Sequence, residues 1–530
     1  MCGIVGYTGA KRAVPVLLAG LKRLEYRGYD SAGIAVQGEQ GIAVAKAAGQ
    51  IENLIARTQN GAALTGGCGI GHTRWATHGA PDETNAHPHA SPGNRVVMVH
   101  NGIIENHEKI RAELAAAGCV QRVVHMNDGE IACIKAGGAL FFDASGRSVR
   151  KHAEQLELEE KEIEKAGYAH FMLKEIHEQP QAVRRTIAPC IKETCDGLRV
   201  ELGAAGIGKG LLARADRVHF IGCGSAYHAG CVGRMVTERL ARIPCEAELA
   251  SEIRYGEPVF TPDALAVIIS QSRQTADSLA ALRLCKAHGV RTLAIVNVIE
   301  SAMAREADAV LCTQAGPEIS VATTKAYAAQ LAALYLLAIA LASSRGAIAK
   351  AREKQLAKAL IALPERIAEA LSCDGEVKAL AGRIAGKRDV FFIGRGLDHA
   401  VCLEGSLKLK EISYIHSEAY AAGELKHGTI SLIEEGVSVI GVMTQKALLS
   451  KTMANLEEVK SRGAQTVVVA SRRFSQTRQG DAIVPVPDTD ELFAASLLVV
   501  PLQLLSYHVS CDLGLDVDKP RNLAKAVTVE

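Results

Sequence analysis

The order of apolar and polar positions changes near residue 210. From there to the C-terminus, short runs rich in Val and Ile alternate with longer Ala/Leu-rich segments of helical periodicity. Strands that alternate with helices in this way are typical of α/β domains with a parallel sheet. The longest apolar stretch, residues 326–342, is interrupted by Gln330 and is shorter than the roughly 20 residues of a membrane span, so we expect a buried helix.

This α/β pattern occurs twice. Four pairs of short segments match at a nearly constant offset: residues 220–224 with 392–396 (392 − 220 = 172), 267–268 with 439–440 (439 − 267 = 172), Gly289 with Gly463 (463 − 289 = 174), and 308–309 with 481–482 (481 − 308 = 173). The repeat predicts two copies of one doubly wound parallel-sheet domain, one after the other.

The N-terminal part of the chain has a different pattern. Four segments within residues 1–135 each offer a short strand bounded by glycine or asparagine: CGIVGYTG, SAGIAVQG, GCGIGHTRWAT and NRVVMVHNGIIEN. Residues 146–166 are dense in alternating charge, which is typical of a solvated helix or linker. The predicted organisation is an N-terminal domain over 1–145, a linker over 146–170, α/β domains over 171–365 and 366–515, and a tail over 516–530.

Composition narrows the class of protein. A chain of 530 residues usually forms about two to four domains. Its 60 Lys and Arg residues against 58 Asp and Glu give no basis for binding nucleic acid or a membrane surface, so we expect partners that are small molecules or a second copy. The 14 cysteines form no C-x-x-C pair and the N-terminus does not resemble a signal peptide, which predicts reduced thiols in a cytoplasmic protein.

A hydroxyl-rich turn distinguishes the first α/β copy from the second. The first copy has Ser270-Gln271-Ser272-Arg273-Gln274-Thr275 after its second strand, whereas the second has Val442-Met443-Thr444 at the matching place. Hydroxyls and backbone N–H groups where a parallel strand ends and a helix begins bind phosphates. A turn that only caps the helix is the alternative. Gly222-x-Gly224 lacks the third glycine of the dinucleotide fingerprint, which disfavours that class of cofactor.

Cys2 directly follows the initiator methionine, and a strand pattern begins at once after it. If Met1 is removed, Cys2 carries both a thiol and a free α-amine, whose pKa of about 7.7–8.0 lets it act as a base near neutral pH. Nucleophile and base then lie on one residue. The sequence therefore predicts that Cys2 is a nucleophile.

Five separated motifs, in order, resemble the class II, N-terminal-nucleophile glutamine amidotransferases: Cys2 in its terminal strand, LEYRGYDSAG, GHTRWATHG, NAHPH and HNGIIEN. The resemblance implies an α/β/β/α fold in which Cys2 attacks the glutamine amide to give a thioester and ammonia. It also implies that Asn101 and Gly102 form the oxyanion hole, Arg74 binds the substrate carboxylate, Trp75 gates the ammonia path, and Thr77 and His78 contact the substrate.

Simpler interpretations of these residues stay open. Arg74 also fits a structural ion pair, Trp75 a core position, and HNG a β-turn. A metal site is a further alternative for His72, His78, His87 and His89, although the nearby carboxylates show no ordered spacing.

The second half resembles the isomerizing glutamine:fructose-6-phosphate aminotransferases, in which two sugar isomerase (SIS) domains follow the amidotransferase domain. The resemblance depends on SQSRQTADS, EISVATTKA, residues 403–428 (LEGSLKLKEISYIHSEAYAAGELKHG) and the closing DVDKPRNLAKAVTVE. It implies that Lys525 forms a Schiff base with the sugar, Glu411 moves a proton between C1 and C2, Lys408 assists, and His427 opens the sugar ring from a neighbouring subunit. It implies substrate contacts, mainly to the phosphate, from Ser225, Ser270, Gln271, Ser272, Thr275 and Val321, and it implies no metal and no organic cofactor. From spacing alone, Lys408 and Glu411 fit an i, i+3 surface ion pair equally well.

The chain departs from this family in two places. After HNGIIENHEKIRAELAAAG the family continues with T-D-T-E, whose aspartate holds the α-amino group of glutamine. Here the sequence passes from Gly118 to VVHMNDGEIACI, which resembles the closing hairpin of that domain. We therefore expect several tens of residues to be missing, which weakens glutamine binding and exposes strand edges unless Asp128 or Glu130 replaces the lost carboxylate. Arg273 stands where the family prefers glycine.

The sequence thus predicts a dimeric, cytoplasmic enzyme that makes glucosamine 6-phosphate from glutamine and fructose 6-phosphate, the first step towards amino sugar nucleotides. One rival is an ammonia-dependent or isomerase-only enzyme with a defective glutaminase. The other is a non-catalytic regulator that binds sugar phosphates, although such a protein has no use for a Schiff-base lysine.

Overall fold

The computed structural model describes residues 3–9, 11–25, 29–74, 82–100, 131–135, 138–143, 145–150, 165–195, 197–203, 206–271, 275–299, 301–474, 480–523 and 525. The chain forms two compact units. The first is Met1–Glu162 with Ala524–Val529, and the second is Ile163–Leu523 with Glu530.

The N-terminal unit contains an antiparallel four-stranded sheet in the order β1-β4-β2-β3. Its elements are β1 (Gly3–Thr8), α1 (Ala13–Leu24), β2 (Ser31–Gly38), β3 (Gly41–Ala48), α2 (Ile51–Arg57) and β4 (Cys68–Arg74). Ile34 and Val36, two residues apart on β2, pack against Leu17 of α1 in one core. The glycines of β4 lie against the same helix, so His72 and Arg74 project from the opposite face of the sheet.

Short strands complete the described part of this unit. They are β5 (His89–Ala90), β6 (Val97–Met98), β7 (Ile131–Lys135), β8 (Gly138–Phe142) and β9 (Ser148–Val149). β5 pairs with β6, and β7, β8 and β9 form a three-stranded antiparallel sheet. Strand β7 begins within residues 123–134, the segment whose sequence resembles a closing hairpin, and β8 follows it. Most of the predicted linker, residues 151–164, lies outside the described residues.

The second unit contains the first parallel sheet, in the order β13-β12-β14-β15-β16. The elements up to residue 344 are α3 (Phe171–Ile187), β10 (Ile191–Thr194), β11 (Gly197–Val200), α4 (Lys209–Arg214), β12 (Val218–Gly222), α5 (Ser225–Ala241), β13 (Cys245–Leu249), α6 (Ala250–Ile253), β14 (Leu265–Ser270), α7 (Ala276–Ala287), β15 (Arg291–Val296), α8 (Ala302–Glu306), β16 (Ala309–Cys312) and α9 (Lys325–Ser344). The strand order reverses between β12 and β14, which is where doubly wound sheets bind ligands.

The second parallel sheet repeats this topology in the order β18-β17-β19-β20-β21. Its elements are α10 (Lys350–Ala370), α11 (Asp374–Ile384), β17 (Asp389–Gly394), α12 (Leu397–Ser413), β18 (His416–Ala421), β19 (Ser438–Met443), α13 (Leu449–Lys460), β20 (Gln465–Ser471), β21 (Ala482–Val486) and α14 (Ala495–Asp512). The predicted pair of doubly wound domains is therefore confirmed.

Strand pairing corrects one anchor of the repeat by one residue. Val267 lies beside Phe220, and Ile440 lies beside Phe392, so Val267 matches Ile440 (440 − 267 = 173) and not Val439. A shift of one residue exchanges the two faces of a strand, and two adjacent apolar residues in each copy conceal it in the sequence.

The corrected register also changes the match at the hydroxyl-rich turn. Met443 and Thr444 of the second copy take the places of Ser270 and Gln271 of the first (444 − 271 = 173). The expectation that residues 442–444 match residues 270–272 was therefore wrong by one position. A hydroxyl and a side-chain amide follow β19 directly.

A glycine with positive φ precedes the first long helix of each copy. Gly224 (φ 53°) precedes α5 and Gly396 (φ 59°) precedes α12. Residues with a Cβ are strained in this region of φ, which explains the second glycine of each G-x-G. A Cβ on the first glycine would lie 2.9 Å from the backbone of Ala226 in one copy and 2.7 Å from that of Asp398 in the other. Ala226 and Asp398 are therefore equivalent positions.

Helix α9 is central to the second unit. All its residues from Lys325 to Ala342 are buried, in a core that includes side chains from both parallel sheets. Among the described residues it is the one helix whose length and hydropathy would allow it to cross a membrane, and nearly all of it is covered by the rest of the protein. The predicted buried helix is confirmed.

Candidate active site

Helix α12 carries three charged side chains on one face. Glu404, Lys408 and Glu411 are spaced i, i+4 and i+7, so they lie in one row along the helix. The side chains of Glu404 and Lys408 are fully buried, whereas that of Glu411 is 20% exposed. The structure therefore excludes a simple surface ion pair, because only the Glu411 end of the row reaches solvent.

Lys408 joins the two carboxylates. Its Nζ lies 2.5 Å from Glu411 Oε2 and 3.5 Å from Glu404 Oε1. Burial opposes charge on Lys408, but the two carboxylates outweigh it and raise its pKa above the ordinary value. Burial likewise opposes charge on Glu404, and Lys408 and His228 outweigh it and lower that pKa. Both buried groups are therefore charged at neutral pH.

The row also joins the two parallel-sheet domains. Ser225, the first residue of α5, donates from Oγ to Glu404 Oε1 at 2.8 Å, and His228 Nδ1 lies 2.9 Å from Glu404 Oε2. Ser225 and His228 are three residues apart and share one face of α5. The hydroxyl predicted to contact the sugar phosphate is thus close to the predicted proton-transfer helix.

The hydroxyl-rich turn begins at the end of β14. Ser270 Oγ lies 3.3 Å from Thr275 Oγ1, so these two predicted residues are brought together. The side-chain oxygen of Gln271 is buried and has no hydrogen-bond partner among the described residues. A buried amide oxygen normally has a partner, which makes this turn a candidate for polar ligand binding.

The C-terminal tail is anchored within the second unit. The Asp518 carboxylate accepts hydrogen bonds from the N–H groups of Phe171 and Met172, at 2.9 and 2.8 Å, where α3 begins. The Val321 N–H donates to the carbonyl oxygen of Asp518 at 3.0 Å. In this structure Val321, predicted to contact substrate, positions the tail.

A second anchor lies at the end of α12. The Arg521 N–H donates to Tyr414 Oη at 2.7 Å, and the guanidinium lies 4.1 Å from the centre of the Tyr414 ring. Tyr414 directly follows α12, the helix that carries Glu411. Lys525, four residues further along, belongs to the N-terminal unit, so its approach to the sugar site remains a prediction. His427 lies exposed at the end of the 3₁₀ turn Glu424–His427.

In the N-terminal unit, β1 and β4 bring two predicted regions together. Gly3, which follows Cys2, pairs with Thr73, which precedes Arg74, and the Gly3 N–H donates to Thr73 Oγ1 at 3.1 Å. The predicted residues Cys2, Trp75, Thr77, His78, Asn101, Gly102 and Ser272, and also Arg273, Asp128 and Glu130, lie outside the described residues.

The predicted histidine cluster forms a stack of rings. The ring centres of His72 and His87 lie 4.3 Å apart, as do those of His87 and His89. Burial, together with the neighbouring histidines and Arg74, lowers the pKa of His87 to about 2, so His87 is neutral at physiological pH. Parallel stacking brings the faces of the His72 and His87 rings together. A metal site instead needs ring nitrogens that point towards one centre.

Two residues of the site were missed by sequence reasoning, Glu404 and His228. Glu404 has a recognisable signal, because the stretch from Leu403 to Glu411 places a third charge one turn before Lys408. His228 has none, because its contact with Glu404 depends on the packing of α5 against α12.

Comparison with known proteins identifies the family. Residues 211–340 and 383–511 each match the SIS domain. A glutamine–fructose-6-phosphate aminotransferase [isomerizing] of Clostridium tetani is 41% identical over the whole of both chains, and that of Symbiobacterium thermophilum is 43% identical over the same extent. The chain belongs to the isomerizing glutamine–fructose-6-phosphate aminotransferase family. The C-terminal domain of a glucosamine-fructose-6-phosphate aminotransferase from Francisella tularensis superposes with a TM-score of 0.65, at 37% identity, over 67% of this chain and all of that one.

This member of the family is shorter than its relatives. The alignment with the Clostridium tetani protein spans 612 positions and includes all 530 residues, which leaves at least 82 positions (612 − 530 = 82) without a residue of this chain. The expectation that several tens of residues are missing is confirmed. The motifs on either side of the junction predict that the shortening lies after Gly118, in the amidotransferase domain.

The buried row predicts a large stability effect. Glu404→Gln leaves the Lys408 ammonium buried with one carboxylate instead of two, which we expect to lower the free energy of unfolding by about 3–5 kcal/mol. The free energy of unfolding is obtained from urea denaturation, with tryptic digestion of the second unit as the measure of the unfolded fraction. The double variant Glu404→Gln/Lys408→Met should regain part of the loss, and exposed Glu434→Gln is the matched control. A loss no larger than that of the control would contradict the assignment of a charged, buried pair.

Proposed function

We propose that this protein makes glucosamine 6-phosphate from fructose 6-phosphate, with nitrogen taken from glutamine. The observation that carries the proposal is the row Glu404–Lys408–Glu411, two members of which are buried and charged, in a chain that matches the named relatives along its whole length. Buried charges are costly, and a row that ends on a partly exposed carboxylate fits proton transfer better than structural support.

The proposed chemistry needs only the chain's own groups. The Lys525 amine adds to the C2 carbonyl of the open sugar and water leaves, giving an imine. Ammonia then displaces the lysine and forms the C2 imine of the sugar. Glu411 removes a proton from C1 and returns it to C2, while the O1 hydroxyl proton moves to the imine nitrogen, so that C1 becomes an aldehyde and C2 carries the amine. No external oxidant or reductant takes part, because the step moves two protons and one double bond within the substrate.

Chain connectivity supports the role of Lys525. Arg521 is held against Tyr414 at the end of α12, and Lys525 is four residues further on. Four extended residues span at most about 14 Å, so the lysine cannot be far from Arg521. The phosphate of the sugar would occupy the turn that contains Ser270, Gln271 and Thr275, which orients the reacting carbons relative to Glu411.

We further propose a homodimer in a reducing, cytoplasmic compartment. The exposed position of His427 suits a residue that completes the site of a second copy and opens its sugar ring. Buried Cys190, Cys245 and Cys402 have free thiols, which fits a reducing environment.

Reductive trapping tests the proposal. The wild-type protein is incubated with fructose 6-phosphate, treated with borohydride and digested, and we expect mass spectrometry to find the sugar adduct on Lys525. The Lys525→Arg variant keeps the charge but cannot form the adduct, so it should bind fructose 6-phosphate without being labelled. If the wild type binds the sugar but forms neither adduct nor product, the proposed enzymatic function is wrong and a regulator that binds sugar phosphates is favoured.

A second candidate function has its own support. At least 82 positions of the alignment have no residue of this chain. This favours an enzyme that uses free ammonia because its glutaminase is defective. In that case the sugar chemistry is the same, and only the source of nitrogen differs.

A further inference from the structure

The second SIS domain contains a buried carboxylate at the carboxyl end of its sheet. Asp398 is the second residue of α12, and it is 1% exposed. Its carboxylate accepts hydrogen bonds from the Thr444 N–H at 2.9 Å, from the Gln445 N–H at 3.3 Å and from the Thr444 hydroxyl. These donors all belong to the turn that follows β19. This turn thus already binds an anion, which is the Asp398 carboxylate of the same chain.

The same turn in the first domain is the candidate phosphate site. By the strand register, Thr444 is equivalent to Gln271. By the G-x-G geometry, Asp398 is equivalent to Ala226. The two copies therefore share the strand end and the helix start. The second residue of the helix carries a methyl group in the first domain and a carboxylate in the second.

The surroundings of Asp398 suit a phosphate as well as a carboxylate. Arg239 of α5 donates from Nη1 to Gln445 Oε1 at 2.7 Å, which brings a positive charge to the turn. Burial raises the pKa of Asp398 to about 6 in spite of the Thr444 and Gln445 hydrogen bonds, so the group is charged at pH 7. A carboxylate with two backbone N–H donors and one hydroxyl donor has the partners that part of a phosphate group would use.

We propose that the turn after β19 in the second SIS domain is an anion-binding turn, at the strand end equivalent to that of the candidate phosphate turn in the first, that the Asp398 carboxylate occupies it, and that without this carboxylate the turn binds phosphate. Asp398 then decides that each chain has one phosphate site and not two. The inference depends on the proposed function only for the statement that the first turn holds the phosphate of the sugar.

Binding of inorganic phosphate tests the inference. Equilibrium dialysis of the full-length Asp398→Ala variant should show one more bound phosphate per chain than the wild type. Phosphate should also raise the melting temperature of this variant more than that of the wild type, because it replaces the missing anion. Asp512→Ala, which removes the same charge at an exposed position, is the matched control and should behave as the wild type does. If Asp398→Ala folds poorly, the isosteric Asp398→Asn serves the same measurement.

The reciprocal variant separates this inference from the proposed function. Ala226→Asp should place a carboxylate at the first turn and reduce the affinity for fructose 6-phosphate at least about tenfold, a change of about 1.4 kcal/mol. Equal phosphate binding by wild type, Asp398→Ala and Asp398→Asn would overturn the occupied-turn inference. If the variants gain a phosphate although the wild type binds none, the inference stands, and the assignment of the first turn to the sugar phosphate fails.

Discussion

Glu411→Gln is expected to reduce the formation of glucosamine 6-phosphate about 10²- to 10⁴-fold, the usual contribution of a general acid–base group. Glu411 is the partly exposed end of the α12 row, so a neutral amide there keeps the shape and the Lys408 contact but cannot take a proton from C1. The rate is measured with saturating ammonium, which removes any dependence on glutaminase activity.

A second measurement separates proton transfer from structural support. Exchange of the C1 hydrogen of the sugar with D₂O should be lost in Glu411→Gln, whereas the borohydride adduct on Lys525 should still form. Exposed Glu434→Gln is the matched control and should keep both. A rate within tenfold of the wild type, with exchange retained, would remove Glu411 from the mechanism.

The second large effect concerns the source of nitrogen. The KM for glutamine is expected to be roughly 10- to 150-fold higher than in the full-length relatives, because the α-ammonium of glutamine loses a charge-assisted partner worth about 1.5–3 kcal/mol. Synthesis from ammonium should be unaffected, because the proposed phosphate turn and the Glu404–Lys408–Glu411 row lie in the second unit and not in the shortened domain. Glutamate release from glutamine measures the first quantity, and product formed with ammonium measures the second.

An unimpaired glutaminase would contradict this expectation. In that case another carboxylate, of which Asp128 and Glu130 are candidates, holds the α-amino group. Asp128→Asn and Glu130→Gln then identify the substitute, because only the correct variant should raise the KM for glutamine while leaving ammonium-dependent synthesis unchanged.

The sequence predicted the α/β half of the fold well because its signals are local. Runs of Val and Ile, helical periodicity and the G-x-G turns recur in each copy, so the two doubly wound domains and the buried helix α9 could be inferred without coordinates. The register of the repeat was less secure. Two adjacent apolar residues fit either of two offsets, and only the pairing of Val267 with Phe220 and of Ile440 with Phe392 resolves it.

The sequence predicted only part of the candidate site, because only some of its residues belong to a local motif. Lys408 and Glu411 belong to one motif. Whether they form a surface ion pair or part of an active site depends on their burial, which a spacing of three residues does not reveal. Glu404 and His228 lie on different helices and are 176 residues apart in the chain. No local sequence pattern predicts a contact over such a separation.

The sequence by itself determined the family, the two copies of the SIS domain and the shortening relative to the family, because motifs and repeats are properties of the chain's order. Only the tertiary structure decided which charges are buried together and which side chain occupies the turn after β19. Packing brings Glu404 against α5 and Asp398 into the turn after β19, and the energy of a charge depends on what surrounds it in space.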